Sequence, residues 1–276
     1  MADTATTVQL HYGRGGLLER ILAALRTAGV DPEKPRFDQL FPFDQLHGAG
    51  IAATRDHADR ARLKAGMRLL DLGCGVGGCS RYLAAERQCR VAGIDLTPEF
   101  VAVARELTRR CGLAPAIEFY EGNALALPFP DASFDHVWCH NVTMNIADKQ
   151  GLAREVARVL APGGRFSCME VAQGPSGIPT YPLPWAMDPA TSFLATPAAM
   201  RAALEAGGLR VIEQEDITQE ALDYAREVAA RVARGEPNPN QNGVVMGTDF
   251  LPRARNSAAA LAERRILDQF VLAERP

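Results

Sequence analysis

The stretch Leu69-Leu70-Asp71-Leu72-Gly73-Cys74-Gly75-Val76-Gly77-Gly78 decides how this chain is read. An apolar run stops at an acid, a glycine-dense turn follows, and Ser80-Arg81-Tyr82-Leu83-Ala84-Ala85 reads as a helix start. Glycine tolerates both the dihedrals of such a turn and a close backbone approach to a nucleotide-like ligand. The spacing Gly73-x-Gly75-x-x-Gly78 also satisfies the dinucleotide fingerprint, which alone is a weak signal.

Asp71 breaks the tie. A carboxylate two residues before the first glycine repels a pyrophosphate. It suits a cationic ligand, such as the amino group and sulfonium of S-adenosylmethionine (SAM).

Outward from the turn, strands and helices alternate. Arg90–Asp95 is an apolar strand ending in an acid, and Thr97-Pro98-Glu99 opens a helix with Thr97 as N-cap. Ala116–Tyr120 and Phe134–Cys139 are the third and fourth strands. A helix over Lys149–Leu160 puts Leu152, Val156, Val159 and Leu160 on one stripe. Ala161-Pro162-Gly163-Gly164 stops it, and Arg165–Val171 is a fifth strand. Leu209–Ile212 and Ile266–Leu272 read as the sixth and seventh. The last is expected antiparallel, because no crossover helix fits after it. This alternation predicts an α/β, Rossmann-like, doubly wound sheet with ligands beyond the strand carboxyl ends. Asp71, Asp95, Asn123, His140 and Glu170 are all expected on those ends, and Asp95 stands about 20 residues past the turn, where an acid accepts from both ribose hydroxyls.

The 276 residues carry a net charge of −3, with 47% hydrophobic and 23% charged side chains, the balance of a globular enzyme. That charge offers no basic field to nucleic acid or an anionic membrane. No apolar run reaches the roughly 18 residues of a membrane span, and the start of the chain lacks a secretory pattern. A cytoplasmic monomer or homodimer acting on a small molecule, without nucleic acid, is expected. The cysteines (Cys74, Cys79, Cys89, Cys111, Cys139, Cys168) form no C-x-x-C pair and no zinc spacing with histidine, so free thiols and no metal are expected. Cys139 stands apart, because it lies beside the predicted site.

Asp71–Gly77, Asp95, Gly122-Asn123-Ala124, Phe134–Trp138 and Val159–Arg165 occur in the order seen in class I SAM-dependent methyltransferases, and the chain resembles that superfamily over about residues 65 to 172. The resemblance implies a seven-stranded sheet with SAM as cofactor. Asp71, Gly73, Cys74 and Gly75 would face its methionine part and Asp95 its ribose. Leu96 would pack on the adenine, Asn123 and Ala124 would read the adenine edge, and His140 would close the floor. An aspartate is more usual where this chain has Asn123. Val142–Lys149, Phe43–Gly48 and Tyr181–Ala186 look most like the sarcosine/dimethylglycine methyltransferases and their ubiquinone/menaquinone-biosynthesis relatives. That likeness implies an amine acceptor of the glycine-derivative type, with a C- or O-methyltransferase of a quinone-like or phenolic molecule as the alternative. A non-catalytic SAM-binding regulatory module is the reading from another class.

His140, His47 and Tyr12 are the acid/base candidates, and Asn141, Gln45 and Trp185 the substrate contacts. Residues 1–60, with Leu17, Leu18, Ile21, Leu22 and Leu25 on one helical face, are expected to form a cap over a core of residues 61–276. Residues 217–263 would be a mainly helical insertion in that core.

Overall fold

The computed structural model describes Thr6, Gln9, His11, Tyr12 and residues 15–276. Its seven strands are β1 (Arg68–Leu72), β2 (Arg90–Asp95), β3 (Ile117–Glu121), β4 (Phe134–His140), β5 (Leu160–Gln173), β6 (Arg210–Asp216) and β7 (Ile266–Glu274). They form one sheet in the order β3-β2-β1-β4-β5-β7-β6. Pairings from β3 through β5 are parallel, and β7 runs antiparallel to both β5 and β6. The expected Rossmann-like sheet with an antiparallel last strand is what the chain forms.

Helix α1 (Leu17–Thr27), the single turn α2 (Phe41–Asp44) and α3 (Gly50–Arg60) precede β1. Helices α4 (Gly78–Ala85), α5 (Pro98–Arg110), α6 (Lys149–Val159) and α7 (Pro197–Ala206) alternate with the strands. Between β6 and β7 lie α8 (Thr218–Ala233), the single turn α9 (Gly243–Met246) and α10 (Phe250–Ala262). No helix among the described residues is long and apolar enough to cross a membrane.

Alternation along the strands sorts the side chains into two cores. Leu70, Leu72, Val137, Cys139, Phe166 and Cys168 pack with α6 and α7, whereas Leu69 and Trp138 pack with α4 and α5. Two expectations shift here. Helix α6 stops at Val159, and Leu160 already pairs with Phe134 as strand, so β5 begins five residues early across a register shift. Cys139 is buried in the core behind the sheet, away from the site.

Ahead of the sheet, α1 turns Leu17, Ile21, Leu22 and Leu25 onto Phe100, Val103 and Leu107 of α5. Glu99 fixes the entry to α1 by accepting from the backbone N–H of Gly15 and Leu17 at 2.9 and 3.0 Å. Arg81 is fully buried, donating to Asp44 at 2.9 Å, to the Val76 carbonyl at 2.9 Å and to Thr108 at 3.1 Å. The N-terminal segment therefore shares the core of the sheet domain.

Candidate active site

A cavity of about 1480 Å³ opens at the carboxyl ends of β1, β2 and β4, under a roof that includes Tyr12, Leu46–Ala49 and residues of α8, α9 and α10. All nine residues expected to hold the cofactor line it: Asp71, Gly73, Cys74, Gly75, Asp95, Leu96, Asn123, Ala124 and His140.

The glycine turn is built differently from the ligand cradle its spacing suggests. Gly73 has φ +74°, and a Cβ there would stand 2.3 Å from Val142 Cγ2. A Cβ on Gly78 would stand 2.1 Å from the Asp44 carbonyl oxygen, so this glycine admits the N-terminal segment rather than a ligand. Gly75 N donates to Asp95 Oδ2 at 2.9 Å, tying the turn to the end of β2.

Asp71 is 2% exposed and accepts from Ser80 Oγ at 2.5 Å, with no ion-pair partner among the described residues. Burial pushes its carboxyl up to about 7. Asp95 also takes Thr97 N, at 2.8 Å on Oδ1, and burial raises its carboxyl too. Thr97 occupies the N-cap position without a side-chain bond, so Asp95 serves the helix start as well as the cavity. Asn123 Oδ1 accepts from Leu125 N at 2.9 Å. A buried acid short of a cation and a second acid at a strand end fit the amino and ribose groups of SAM.

Of the other predicted residues, Tyr12, His47, Asn141 and Trp185 line the cavity. Gln45 does not. It is 1% exposed, with its amide spent on Asp44 at 2.7 Å and on Thr54 at 2.6 Å. Trp185 Nε1 donates to Ser192 Oγ at 2.9 Å. Burial raises the Tyr12 hydroxyl to about 12. Glu170 lies three residues before the end of β5, on the opposite face from Met169 and Val171 and within reach of Gln269 at 3.4 Å, and takes no part in the cavity wall.

His47 and His140 stack face to face, centroids 3.7 Å apart and 9° from parallel. His47 Nδ1 lies 3.0 Å from the Gly48 carbonyl, which can only accept, so Nδ1 carries the proton and Nε2 faces Thr54 Oγ1 at 3.1 Å. Burial lowers His47 to about 4 and pushes His140 down as well. Both rings are neutral near pH 7. Nitrogen and sulfur atoms of His47, His140 and Cys79 lie within 4.8 Å of one another. An ion must lie in the plane of each imidazole that binds it, and two planes stacked 3.7 Å apart do not converge on one ion.

Sequence reasoning missed what stands behind this pair. His57 Nε2 and His136 Nε2 share Ser167 Oγ at 2.9 and 2.8 Å, and His57 stacks on Trp138 at 3.5 Å. The alternation His136-x-Trp138-x-His140 on one strand face was the available signal. The helical insertion was expected among the segments that cover the site, but its wall residues, including Ala221, Tyr224, Val228, Phe250 and Ala254, and Asp268 of β7, were not singled out.

Residues 70–168 match the family model of a methyltransferase domain. That segment resembles a methyltransferase domain. The methyltransferase GfsG of Streptomyces halstedii is 35% identical over 128 residues, 46% of each chain. The chain spans less than half the length of the curated relatives it matches. The 4+2 cyclase SpnF superposes with a TM-score of 0.68 at 24% identity, covering 100% of this chain and 98% of that one. Geranyl diphosphate C-methyltransferase from Streptomyces coelicolor A3(2), solved with Mg²⁺, geranyl-S-thiolodiphosphate and S-adenosyl-L-homocysteine, gives 0.73 at 16% identity, covering 100% and 99%. Both are likenesses of fold, and one of the two proteins is a cyclase, so the fold by itself does not fix the reaction.

Proposed function

We propose that the protein transfers the methyl group of SAM to a hydroxyl of a bulky, mainly apolar small molecule, the quinone-like or phenolic reading of the sequence. The observation that carries this is the cavity. One drug-sized ligand occupies roughly 300–1,000 Å³, and about 1480 Å³ is available here. Beyond the cofactor residues its walls include Val228, Val232, Phe250, Leu251, Leu261 and Ile266. A glycine-type amine would leave most of that apolar surface wet, so the amine reading has less support. The geranyl group bound by one structural neighbour is of the favoured kind.

When bound, SAM supplies a methyl activated by its sulfonium, so the protein's task is alignment and exclusion of water. In this reading Asp71 holds the cofactor amino group, Asp95 the ribose and Asn123 the adenine edge. The neutral His47–His140 stack forms a floor that does not repel a sulfonium. Tyr12 stays protonated and acts as a donor, and His47 Nδ1 is held by the Gly48 carbonyl. His140 lines the cavity at the end of β4, and in this reading its imidazole takes the proton that the acceptor oxygen sheds on methylation. A weak base suffices, because an alkylated hydroxyl is strongly acidic.

The test is incubation with methyl-labelled SAM and a panel of phenols, quinols, apolar alcohols and glycine-type amines, read by mass spectrometry. Bulky hydroxylated acceptors gain one methyl, and Ala254→Phe, which fills the wall, blocks that transfer while S-adenosylhomocysteine still binds. Methylation of the small amines alone overturns the reading.

A further inference from the structure

Asp268 is an acid set in an apolar wall. It lines the cavity on β7, as do Ile266 of the same strand, Ala221 and Tyr224 of α8 and Leu261 of α10. No hydrogen-bond donor among the described residues reaches its carboxylate, although its backbone N–H donates to Thr218 and its carbonyl accepts from Ile217 N. The charged group nearest in effect is another acid, Asp216, which is itself taken by Thr218 N at 3.0 Å and Arg264 at 2.8 Å. Asp268 is half-buried, and a carboxylate that meets the cavity from an apolar wall with no protein donor is open to a donor on a ligand.

Its place in the sheet fixes its distance from the chemistry. Asp268 stands opposite Val171 of β5, and His140 opposite Met169. Two strand spacings and a two-residue offset put the two backbones roughly 12 Å apart. The space between them belongs to the same cavity.

We infer that Asp268 anchors the acceptor: its carboxylate accepts a hydrogen bond from a second polar group, a hydroxyl or a protonated amine, at the far end of an apolar body. This rests on the reading of the cavity as the acceptor pocket. A ligand that fills the cavity covers this carboxylate, so an analogue that lacks the donor is disfavoured, because it leaves the carboxylate covered and unpaired. Asp268 therefore sets specificity for bifunctional acceptors, apolar in the middle and polar at both ends.

The test uses the full chain loaded with S-adenosylhomocysteine and three probes of one shape, 4-phenylbutanol, 4-phenylbutylamine and butylbenzene, titrated by calorimetry. The alcohol or the amine is expected to bind at least about tenfold more tightly than the hydrocarbon, and Asp268→Ala to erase the difference. Asp268→Asn separates the two sources, because a neutral amide still accepts from an alcohol but loses the charge attraction for an ammonium. Unchanged affinity for S-adenosylhomocysteine certifies each variant as folded. Equal binding of all three probes to the wild-type chain, binding of none of them, or a preference that survives in Asp268→Ala overturns the inference. A wild-type chain that does not bind S-adenosylhomocysteine refutes the proposed function instead.

Discussion

His140, at the end of β4, lies flat against His47 of the N-terminal segment, their ring centroids 3.7 Å apart. His57 meets His140 edge-on at 5.2 Å and shares Ser167 with His136. Four imidazoles thus form one cluster between the sheet and the N-terminal segment, and burial favours the uncharged form of each.

Acid should loosen it. Burial sets His47 at about 4 and His136 at about 3, below the ordinary 6.5. A histidine with a lowered folded-state value stabilises fully above pH 6.5, and that contribution is lost as pH falls toward 4. The raised acids Asp71, Glu170 and Asp268 work in the opposite sense, favouring the fold as pH drops below about 7. The histidine part is isolated by comparing denaturant midpoints of wild type and His136→Gln at pH 7.5, 6.5 and 5.5. The wild-type midpoint should fall more between pH 6.5 and 5.5 than the variant's.

Cofactor binding should release a proton. Without ligand the Asp71 carboxyl sits at about 7, and an ammonium beside it favours the ionised form. Affinity for S-adenosylhomocysteine should therefore rise with pH up to about 7 and level off. Calorimetry in buffers of different ionisation enthalpy measures the proton released below pH 7, and Asp71→Asn should abolish it.

Asp95→Ala should weaken S-adenosylhomocysteine by about 1.5–3 kcal/mol, through loss of charge-assisted hydrogen bonds. The same change frees Gly75 N and Thr97 N. The thermal midpoint of the ligand-free protein should consequently fall as well, which calorimetry and a melting curve record separately.

Asp44→Ala should destabilise the whole domain by about 3–5 kcal/mol, because it leaves the fully buried Arg81 without its counter-charge. Urea unfolding should show one transition shifted to lower denaturant. A separate early transition confined to the N-terminal segment would mean that the pair does not bind segment and sheet into one cooperative unit.

What the sequence carries in local spacing was readable from it. The strand-turn-helix at Leu69–Gly78, the acid at Asp95 and the seven-strand count follow from periodicity within a dozen residues, and the structure keeps them. What depends on a distant partner was not. Arg81 looks like any helix residue until Asp44, 37 positions away, is seen against it. Gln45 has the chemistry of a substrate contact, yet Thr54 and Asp44 consume its amide. Glu170 sits near a strand end, but alternation turns it to the opposite face from Met169 and Val171, and only the pairing with β7 reveals which face matters. The α8 and α10 wall has no motif at all, since apolar surface records no chemistry in its spacing.

The position of β7 has a consequence for synthesis. It fills the slot between β5 and β6, pairing along Arg165–Gln173 on one side and Arg210–Asp216 on the other. The chain from Ile217 to Arg265 must be made before that slot can close. At roughly 5–20 residues per second, a nascent sheet waits several seconds on the ribosome with two bare inner edges. Unpaired edges template pairing with other chains, so the nascent protein is most vulnerable to aggregation just before β7 emerges, and slow translation over residues 217–265 would prolong that danger.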